Sequence, residues 1–200
     1  TLKAPNKKFS ARSQPLMLAT LQEQPFSDPE WIFEIKYDGV RVLAERNGDT
    51  VELYGRNGTQ ITNRYPELRE ALKKLPIEHF IIDGEIVALD ERGQPSFQRL
   101  QARMHLTSAR DIQLGMAAAP VEGFFFDCLA LDGHDLRSFP LVDRKECLKS
   151  FLPLLGQAHY SDHVVKAGEA FFDAASERGL EGIVAKKASS RYVGGRSRDW

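Results

Sequence analysis

Four segments of the chain alternate apolar and polar residues with the period of two that is typical of β-strands. In residues 31–38 the alternation separates two faces, with Trp31, Phe33, Ile35 and Tyr37 on one and Ile32, Glu34, Lys36 and Asp38 on the other. Three ionisable side chains therefore share one face. An ordinary half-buried strand with a solvated charged face has the same pattern, so this segment alone does not indicate a site.

The other three segments also place acids, cations and aromatics inside apolar strands. In chain order these are Asp83 and Glu85 within residues 80–89, Phe124, Phe126 and Asp127 within residues 122–129, and Glu181 and Lys186 within residues 180–187. Burying two carboxylates on one strand face without a partner is costly. The repeated pattern therefore indicates paired or functional side chains.

The rest of the chain predicts further strands and four helices. Residues 40–46 and 51–54 are predicted strands, and the turn between them contains Asn47-Gly48-Asp49, a common hairpin sequence. Apolar residues at helical spacing predict helices over 65–75, 97–103, 142–152 and 168–178. Hairpins mixed irregularly with helices favour an α+β fold, with antiparallel sheets flanked by helices, over a doubly wound parallel sheet.

Composition fits one globular domain. The chain has 200 residues, of which 42% are hydrophobic and 28% charged, and these values are ordinary for a globular domain. No apolar run is long enough to cross a membrane. Cys128 and Cys147 are too few to indicate a disulfide framework and favour a reducing cytoplasm.

The first residues differ from the rest. Residues 1–14 are polar, contain Lys3, Lys7, Lys8 and Arg12, and have little to bury, so we expect a basic linker or leader before a domain over 15–200. The chain opens on Thr1 and shows no apolar signal segment. We interpret it as a piece of a longer protein.

Taken together, these segments resemble the covalent nucleotidyltransferases, which comprise ATP-dependent DNA ligases, RNA ligases and mRNA capping enzymes. Four of their motifs occur in the family's order: KxDGxR at Lys36 to Arg41, the third motif at Asp83-Gly84-Glu85, the aromatic-acid motif at Phe126-Asp127, and EGxxxK at Glu181 to Lys186. Residues 33–36, 55–58 and 195–197 are similar to bacterial end-joining ligases of the LigD type. The resemblance covers residues 15–200 and implies the nucleotide cleft of a DNA ligase adenylation domain.

The resemblance implies that Lys36 attacks the α-phosphate of ATP, forms lysyl-AMP and releases pyrophosphate. AMP would then pass to a DNA 5′-phosphate, and a 3′-hydroxyl would displace it and seal the nick, in bacterial DNA repair, recombination and end joining. A free lysine has a pKa of about 10.4, so its ammonium must lose a proton before it can attack. Nearby cations favour that loss and acids oppose it. We therefore expect Glu85 and Glu181 to be ligands of Mg²⁺ or Mn²⁺, and not direct partners of Lys36.

The remaining roles follow by resemblance, position by position. Glu34 would accept a hydrogen bond from the adenine amino group, Phe126 would stack on the adenine, and Ile35 and Val184 would help to enclose the nucleotide. Lys186 would contact the α-phosphate, and Asp38 would assist the metal or orient water near Lys36. Arginine suits bidentate phosphate contacts, so Arg41 and Arg56 would hold the ribose or the nick phosphate, and Arg196 the departing phosphates or the DNA end.

The same resemblance sets expectations about partners. The substrate would be nicked or broken double-stranded DNA in the bacterial cytoplasm, associated with the nucleoid. Relatives continue into a last motif with two lysines and an OB-fold domain, and are often fused to polymerase or phosphoesterase domains that act with Ku. We expect these 200 residues by themselves to bind ATP but to form lysyl-AMP poorly. A net charge of −1 is low for a protein that binds DNA alone, so either the basic residues cluster or another domain supplies DNA contacts.

Three alternatives remain open. An RNA ligase or a GTP-using capping enzyme shares these motifs, and a change of nucleotide or of nicked substrate would separate them from a DNA ligase. A catalytically weak scaffold that binds DNA or a repair partner has no chemical reason to keep the lysine and the acids. An unrelated α+β domain would not explain four motifs in order.

Overall fold

The computed structural model describes residues 4–152 and 156–200, and β-sheets form its centre. In chain order the strands are β1 (Met17–Ala19), β2 (Asp28–Ile35), β3 (Val40–Asn47), β4 (Thr50–Gly55), β5 (His79–Ala88), β6 (Val121–Leu131), β7 (His134–Asp135), β8 (Ala158–Tyr160), β9 (Val164–Lys166), β10 (Ile183–Lys187) and β11 (Gly195–Ser197). The helices are α1 (Pro66–Lys73), α2 (Phe97–Met104), α3 (Ala109–Ala118), α4 (Leu141–Phe151) and α5 (Gly168–Glu177), with short 3₁₀ helices at Ala11–Ser13 and Thr62–Arg64.

The strands form three sheets. The largest has the order β4-β3-β5-β6 with antiparallel pairing, and β6 also pairs with β7 in antiparallel and β8 in parallel orientation. A second sheet has the antiparallel order β10-β2-β9, and β1 and β11 form a short parallel pair. This arrangement confirms the prediction of an α+β fold with antiparallel sheets flanked by helices.

Both faces of the large sheet are buried, and the alternation of side chains along β3 and β5 shows how. Val42 and Ile82 belong to one apolar core, which also contains side chains from α1, α2 and α4. Leu43 and Ile81 belong to a second core on the opposite face. A strand that is buried on both faces is apolar almost throughout, and the charged residues within these strands therefore stand out.

The four predicted helices form within a few residues of the expected bounds. One further helix and the start of one strand differ from the prediction. Helix α3 was not predicted, and the Ser108 hydroxyl caps it by accepting a hydrogen bond from the backbone N–H of Asp111 at 3.1 Å. Strand β10 begins only at Ile183. Gly179 and Gly182, which precede it, have positive φ angles of 67° and 145°, a conformation that suits glycine and not a strand.

Part of the segment expected to be a linker lies against the domain. Ala11 is 1% exposed, and its backbone N–H donates to Glu45 Oε2 at 2.8 Å. The Lys7 ammonium also pairs with the Glu45 carboxylate. Within the described residues, no helix combines the length and the apolar character that crossing a membrane would require.

Candidate active site

A cleft of about 310 Å³ lies where the three sheets meet. Its walls contain ten of the twelve predicted site residues, namely Glu34, Ile35, Lys36, Arg41, Arg56, Glu85, Phe126, Val184, Lys186 and Arg196, together with Leu18, Ala19, Tyr37 and Trp200, whereas Asp38 and Glu181 do not line it. Most of these residues come from β1, β2, β3, β5, β6, β10 and β11, and Lys36, Tyr37, Arg56 and Trp200 lie just after strands. The fold therefore gathers positions that are far apart in the chain.

Lys36 follows the last residue of β2 at the wall of the cleft. Its backbone N–H donates to the carbonyl oxygen of Gly182 at 3.0 Å, which ties the lysine to the segment before β10. Its ammonium forms an ion pair with Glu181 Oε1, and the two side chains are 47% and 40% exposed. The expectation that Glu181 is not a direct partner of Lys36 is therefore wrong, because the pairing of β2 with β10 brings the two opposite charges into contact.

Glu34 is buried at the floor of the cleft between two lysines. Lys145 Nζ donates to Glu34 Oε1 at 2.7 Å, and Lys186 Nζ donates to Oε2 at 2.8 Å. Burial by itself would raise the pKa of Glu34, but the charges of the two lysines hold it below its ordinary value. Glu34 is thus an ionised, hydrogen-bonded carboxylate and not a solvated surface residue.

Lys186 lies between two aromatic rings. Its Nζ is 3.9 Å from the centroid of the Phe126 ring and 4.4 Å from that of Trp200, and both distances suit cation–π contacts. Burial lowers the pKa of Lys186 to about 8, with Lys145 contributing in the same direction and the Glu34 carboxylate opposing the change. A small change in its surroundings can therefore alter its charge near neutral pH.

Arg41 is held by Asp83 in a bidentate pair. Its Nε donates to Oδ1 at 2.6 Å and one terminal nitrogen donates to Oδ2 at 2.8 Å. Burial would lower the pKa of Arg41, but the Asp83 carboxylate raises it above the ordinary value. The Tyr192 hydroxyl donates to the same Asp83 at 2.6 Å. Two nitrogens of Arg41 are thus engaged by the protein, and its guanidinium lies 4.6 Å from the Phe126 ring.

Glu85 is a second cleft carboxyl whose pKa differs from its ordinary value. Burial raises the pKa of Glu85 to about 8, although Arg41 and Lys36 act in the opposite direction and Asp83 and Glu181 add to the increase. Bound positive charge beside this carboxyl would favour its ionised form. Among the residues that the structure describes, no three His, Cys, Asp or Glu side chains form a group that could hold a metal ion by themselves.

The other predicted residues differ in how they are placed. Arg56 and Arg196 are exposed at the walls of the cleft, and Arg196 donates to the carbonyl oxygen of Ala19 at 2.7 Å. Ile35 and Val184 are half-buried in the walls. Asp38 is exposed and does not line the cleft, so the structure does not bring it together with the other predicted residues.

Sequence reasoning missed two side chains that shape the cleft. Lys145 looks like a surface lysine of an amphipathic helix, because it follows Arg144 within a run of charged residues. Trp200 follows a polar segment without strand or helix periodicity. For Lys145, the available signal was its position next to Arg144 inside an apolar helical pattern. For Trp200, the sequence contained no such signal.

The known protein sequences that are similar to this chain agree on one family. A family model described as an ATP dependent DNA ligase domain matches residues 16–200. A probable DNA ligase of Streptomyces coelicolor is 39% identical over 168 residues, which are 82% of this chain and 32% of that protein. The SPbeta prophage-derived DNA ligase-like protein LigB of Bacillus subtilis is 32% identical over 192 residues, which are 93% of this chain and 65% of LigB. The chain spans about a third of the length of the probable DNA ligases that it matches.

Solved structures give the same result for the fold. The ligase domain of Mycobacterium tuberculosis LigD is similar with a TM-score of 0.77 and 32% identity, over 96% of this chain and 60% of that one. A mycobacterial DNA ligase D complexed with ATP and MES is similar with a TM-score of 0.79 and 32% identity, over the same shares. The match to the family model over nearly the whole chain, together with these relatives, shows that the chain belongs to the ATP-dependent DNA ligase domain family.

Proposed function

We propose that this chain is the adenylation domain of a bacterial ATP-dependent DNA ligase and that Lys36 is its nucleophile. The observation that carries the proposal is the cleft, because ten of the twelve predicted site residues line it, with Lys36 among them. Its volume of about 310 Å³ lies at the lower end of the range for ligand pockets. The mycobacterial relative complexed with ATP supports ATP as the nucleotide.

In the proposed reaction the uncharged Nζ of Lys36 attacks the α-phosphorus of ATP. The new nitrogen–phosphorus bond replaces the bond from that phosphorus to the leaving oxygen, and pyrophosphate departs. In the structure the Lys36 ammonium is paired with Glu181, so this pair must separate and the ammonium must lose its proton first. Phosphoryl transfer depends mainly on positioning and on charge neutralisation, and Arg41, Lys186 and Arg196 supply positive charge around the cleft.

The residues fit a divalent cation only as part of a site that substrate phosphates complete. Glu85 and Glu181 offer the hard oxygen ligands that Mg²⁺ and Mn²⁺ prefer, and the raised pKa of Glu85 indicates a carboxyl that bound positive charge would ionise. When bound, the cation would neutralise phosphate charge and attract the Glu181 carboxylate away from the Lys36 ammonium. Asp38 and Arg56 remain candidates for contacts with water, metal or the nicked DNA.

We also propose nicked or broken double-stranded DNA as the polynucleotide substrate, in repair and end joining. The relatives are longer than this chain, which supports additional domains in the intact protein, such as an OB-fold domain, and fused polymerase or phosphoesterase domains acting with Ku. DNA contacts from such domains would explain how a chain with a net charge of −1 acts on DNA.

The test is the site of covalent modification. After incubation of the intact protein, with its proposed additional domains, with ATP and Mg²⁺, mass spectrometry should find AMP on Lys36, and Lys36→Ala should abolish it, whereas these 200 residues by themselves should carry little AMP. Lys187→Ala is the matched control, because Lys187 is also partly exposed and paired, with Glu30 at 3.6 Å, and we expect it to keep the modification. AMP on another side chain, or AMP retained by the Lys36→Ala protein, would contradict the assignment.

Replacing ATP by GTP, or nicked DNA by nicked RNA, separates a DNA ligase from its capping and RNA-joining relatives.

A further inference from the structure

Lys145 is a buried lysine for which the proposed adenylation chemistry has no role. It lies in α4 and is 1% exposed. Its ammonium donates to Glu34 Oε1 at 2.7 Å and to the carbonyl oxygen of Ser161 at 2.8 Å, and it lies 4.6 Å from the centroid of the Tyr160 ring. Lysine is almost never fully buried unless it is paired. Its location therefore indicates that the fold holds it for the charge and the hydrogen bond that it gives to Glu34.

The two lysines that contact Glu34 differ in their access to the cleft. Lys186 binds Glu34 Oε2 at 2.8 Å and lines the cleft. Lys145 binds Glu34 Oε1 and does not line the cleft. An anionic triphosphate in the cleft would therefore attract Lys186 much more directly than Lys145. Lys145 can keep its contact with Glu34 when Lys186 turns to a phosphate.

Glu34 also has acceptor capacity left for a ligand. An ionised carboxylate offers about four acceptor sites and no donor. Lys145, Lys186 and the Ser161 hydroxyl, which lies 3.5 Å from Oε2, occupy three of them. Glu34 lines the cleft, so the remaining acceptor site can receive an N–H donor from a bound base, and a base without such a donor leaves it unsatisfied.

We propose that Lys145 is a positioning residue for nucleotide selection, which holds Glu34 ionised and oriented so that its carboxylate accepts the exocyclic amine of adenine. The inference rests on the proposed function, since it assumes that the base of ATP faces Glu34. Lys145 touches Glu34 and not the nucleotide. Its contribution is therefore to discrimination between bases that have the amine and bases that lack it.

The test compares ATP with purine riboside triphosphate, which has nearly the same shape and lacks the amine. Both dissociation constants are measured by calorimetry in the Lys36→Ala background, where no covalent step follows binding. With Lys145 present we expect ATP to bind more tightly by about tenfold or more, the worth of a hydrogen bond to a charged group. In Lys145→Met the two nucleotides should bind within about threefold of each other. Lys149→Met is the matched control, because Lys149 is exposed on the same helix and also lies near the Tyr160 ring, at 5.3 Å.

The ratio of the two dissociation constants separates selection from a general structural role. If Lys145→Met weakens both nucleotides equally and keeps the preference for ATP, the inference is overturned while the proposed function stands. If the protein with Lys145 binds neither nucleotide, the proposed function fails and the inference fails with it. Should Lys145→Met not fold, Lys145→Gln takes its place under the same criterion, with loss of the preference as the supporting result.

Discussion

At the scale of single residues, the candidate site combines ion pairs of two kinds. The Lys36–Glu181 pair is exposed by 47% and 40%, and exposed pairs contribute only about 0 to 1 kcal/mol. The pairs of Glu34 with Lys145 and Lys186 are almost fully buried, and removing one partner from a buried pair is strongly destabilising. The proposed nucleophile is thus held weakly and can be released, while the groups that would orient the base are held firmly.

The charge of Lys186 predicts how nucleotide binding depends on pH. With a pKa of about 8 in the folded protein, Lys186 loses its proton as the pH rises through 8, and a phosphate contact favours the charged form. ATP affinity should therefore fall above pH 8, by up to about tenfold per pH unit, and stay nearly level below it. Lys186→Arg stays charged throughout, so its affinity should fall less steeply above pH 8, while Glu85, whose pKa is also about 8, contributes to both proteins alike. Calorimetric titration from pH 7 to 9.5, with both proteins in the Lys36→Ala background, measures the two slopes, and equal slopes would contradict the prediction.

At the scale of elements, Gly84 lies between Asp83 and Glu85 of β5 at a point where β6 approaches closely. The register between β5 and β6 shifts between Asp83 and Gly84, and the neighbouring strand approaches closely there. A β-carbon at Gly84 would lie 2.6 Å from the carbonyl oxygen of Phe124 and 2.6 Å from Cδ1 of Phe125. The glycine of this motif is therefore required by packing between strands.

Gly84→Ala should destabilise the protein by about 1 to 3 kcal/mol, the usual cost of overpacking, because a backbone carbonyl cannot move aside as a side chain can. Gly55→Ala is the matched control in the same sheet, since its β-carbon would meet no atom closer than 3.8 Å. We expect a change of at most about 0.5 kcal/mol there. Urea unfolding followed by circular dichroism gives both values, and similar values for the two variants would show that the close approach carries no cost.

The pair of Asp127 and Arg144 joins β6 to α4. Both side chains are 0% exposed, and Arg144 donates to the carboxylate at 2.7 and 2.8 Å. Asp127→Asn leaves the buried guanidinium without a charged partner and should cost about 3 to 5 kcal/mol of unfolding free energy. Glu146→Gln, at an exposed position of α4, should cost at most about 0.5 kcal/mol. Thermal or urea unfolding measures the unfolding free energy of both variants. A decrease below about 1 kcal/mol for Asp127→Asn would contradict a structural role for the pair.

At the scale of the whole molecule, Glu45 fastens the N-terminal segment to the large sheet. Glu45 is 5% exposed, and its carboxylate accepts a hydrogen bond from the backbone N–H of Ala11 at 2.8 Å and pairs with Lys7. Glu45→Gln should speed hydrogen exchange of the Ala11 amide by about tenfold or more, the worth of a hydrogen bond to a charged group. Glu52→Gln, at the position opposite Glu45 on β4, should not. Unchanged exchange in Glu45→Gln would mean that other contacts hold the segment.

Much of the fold was predictable where local periodicity is strong. Alternation identified β2, β3, β5 and β6, and helical spacing identified α1 and α4 within a few residues of their bounds. Helix α3 was missed although Ser108 and Asp111 form a recognisable N-terminal cap, because Ile112 is its one buried side chain and Leu114, 62% exposed, obscures the helical spacing of apolar residues. The docking of Ala11 was missed because a single small residue gives no periodic signal.

The sequence by itself determined which residue types occur, in what order and on which strand face, and with them the family and the candidate nucleotide site. Only the tertiary structure decided which charges meet. Glu34 and Lys145 are 111 positions apart, and Lys36 and Glu181 are 145 apart. Periodicity assigns a side chain to a face, but it does not say which strand or helix covers that face. That choice depends on the register between strands and on the packing of both cores, which involve the whole chain at once.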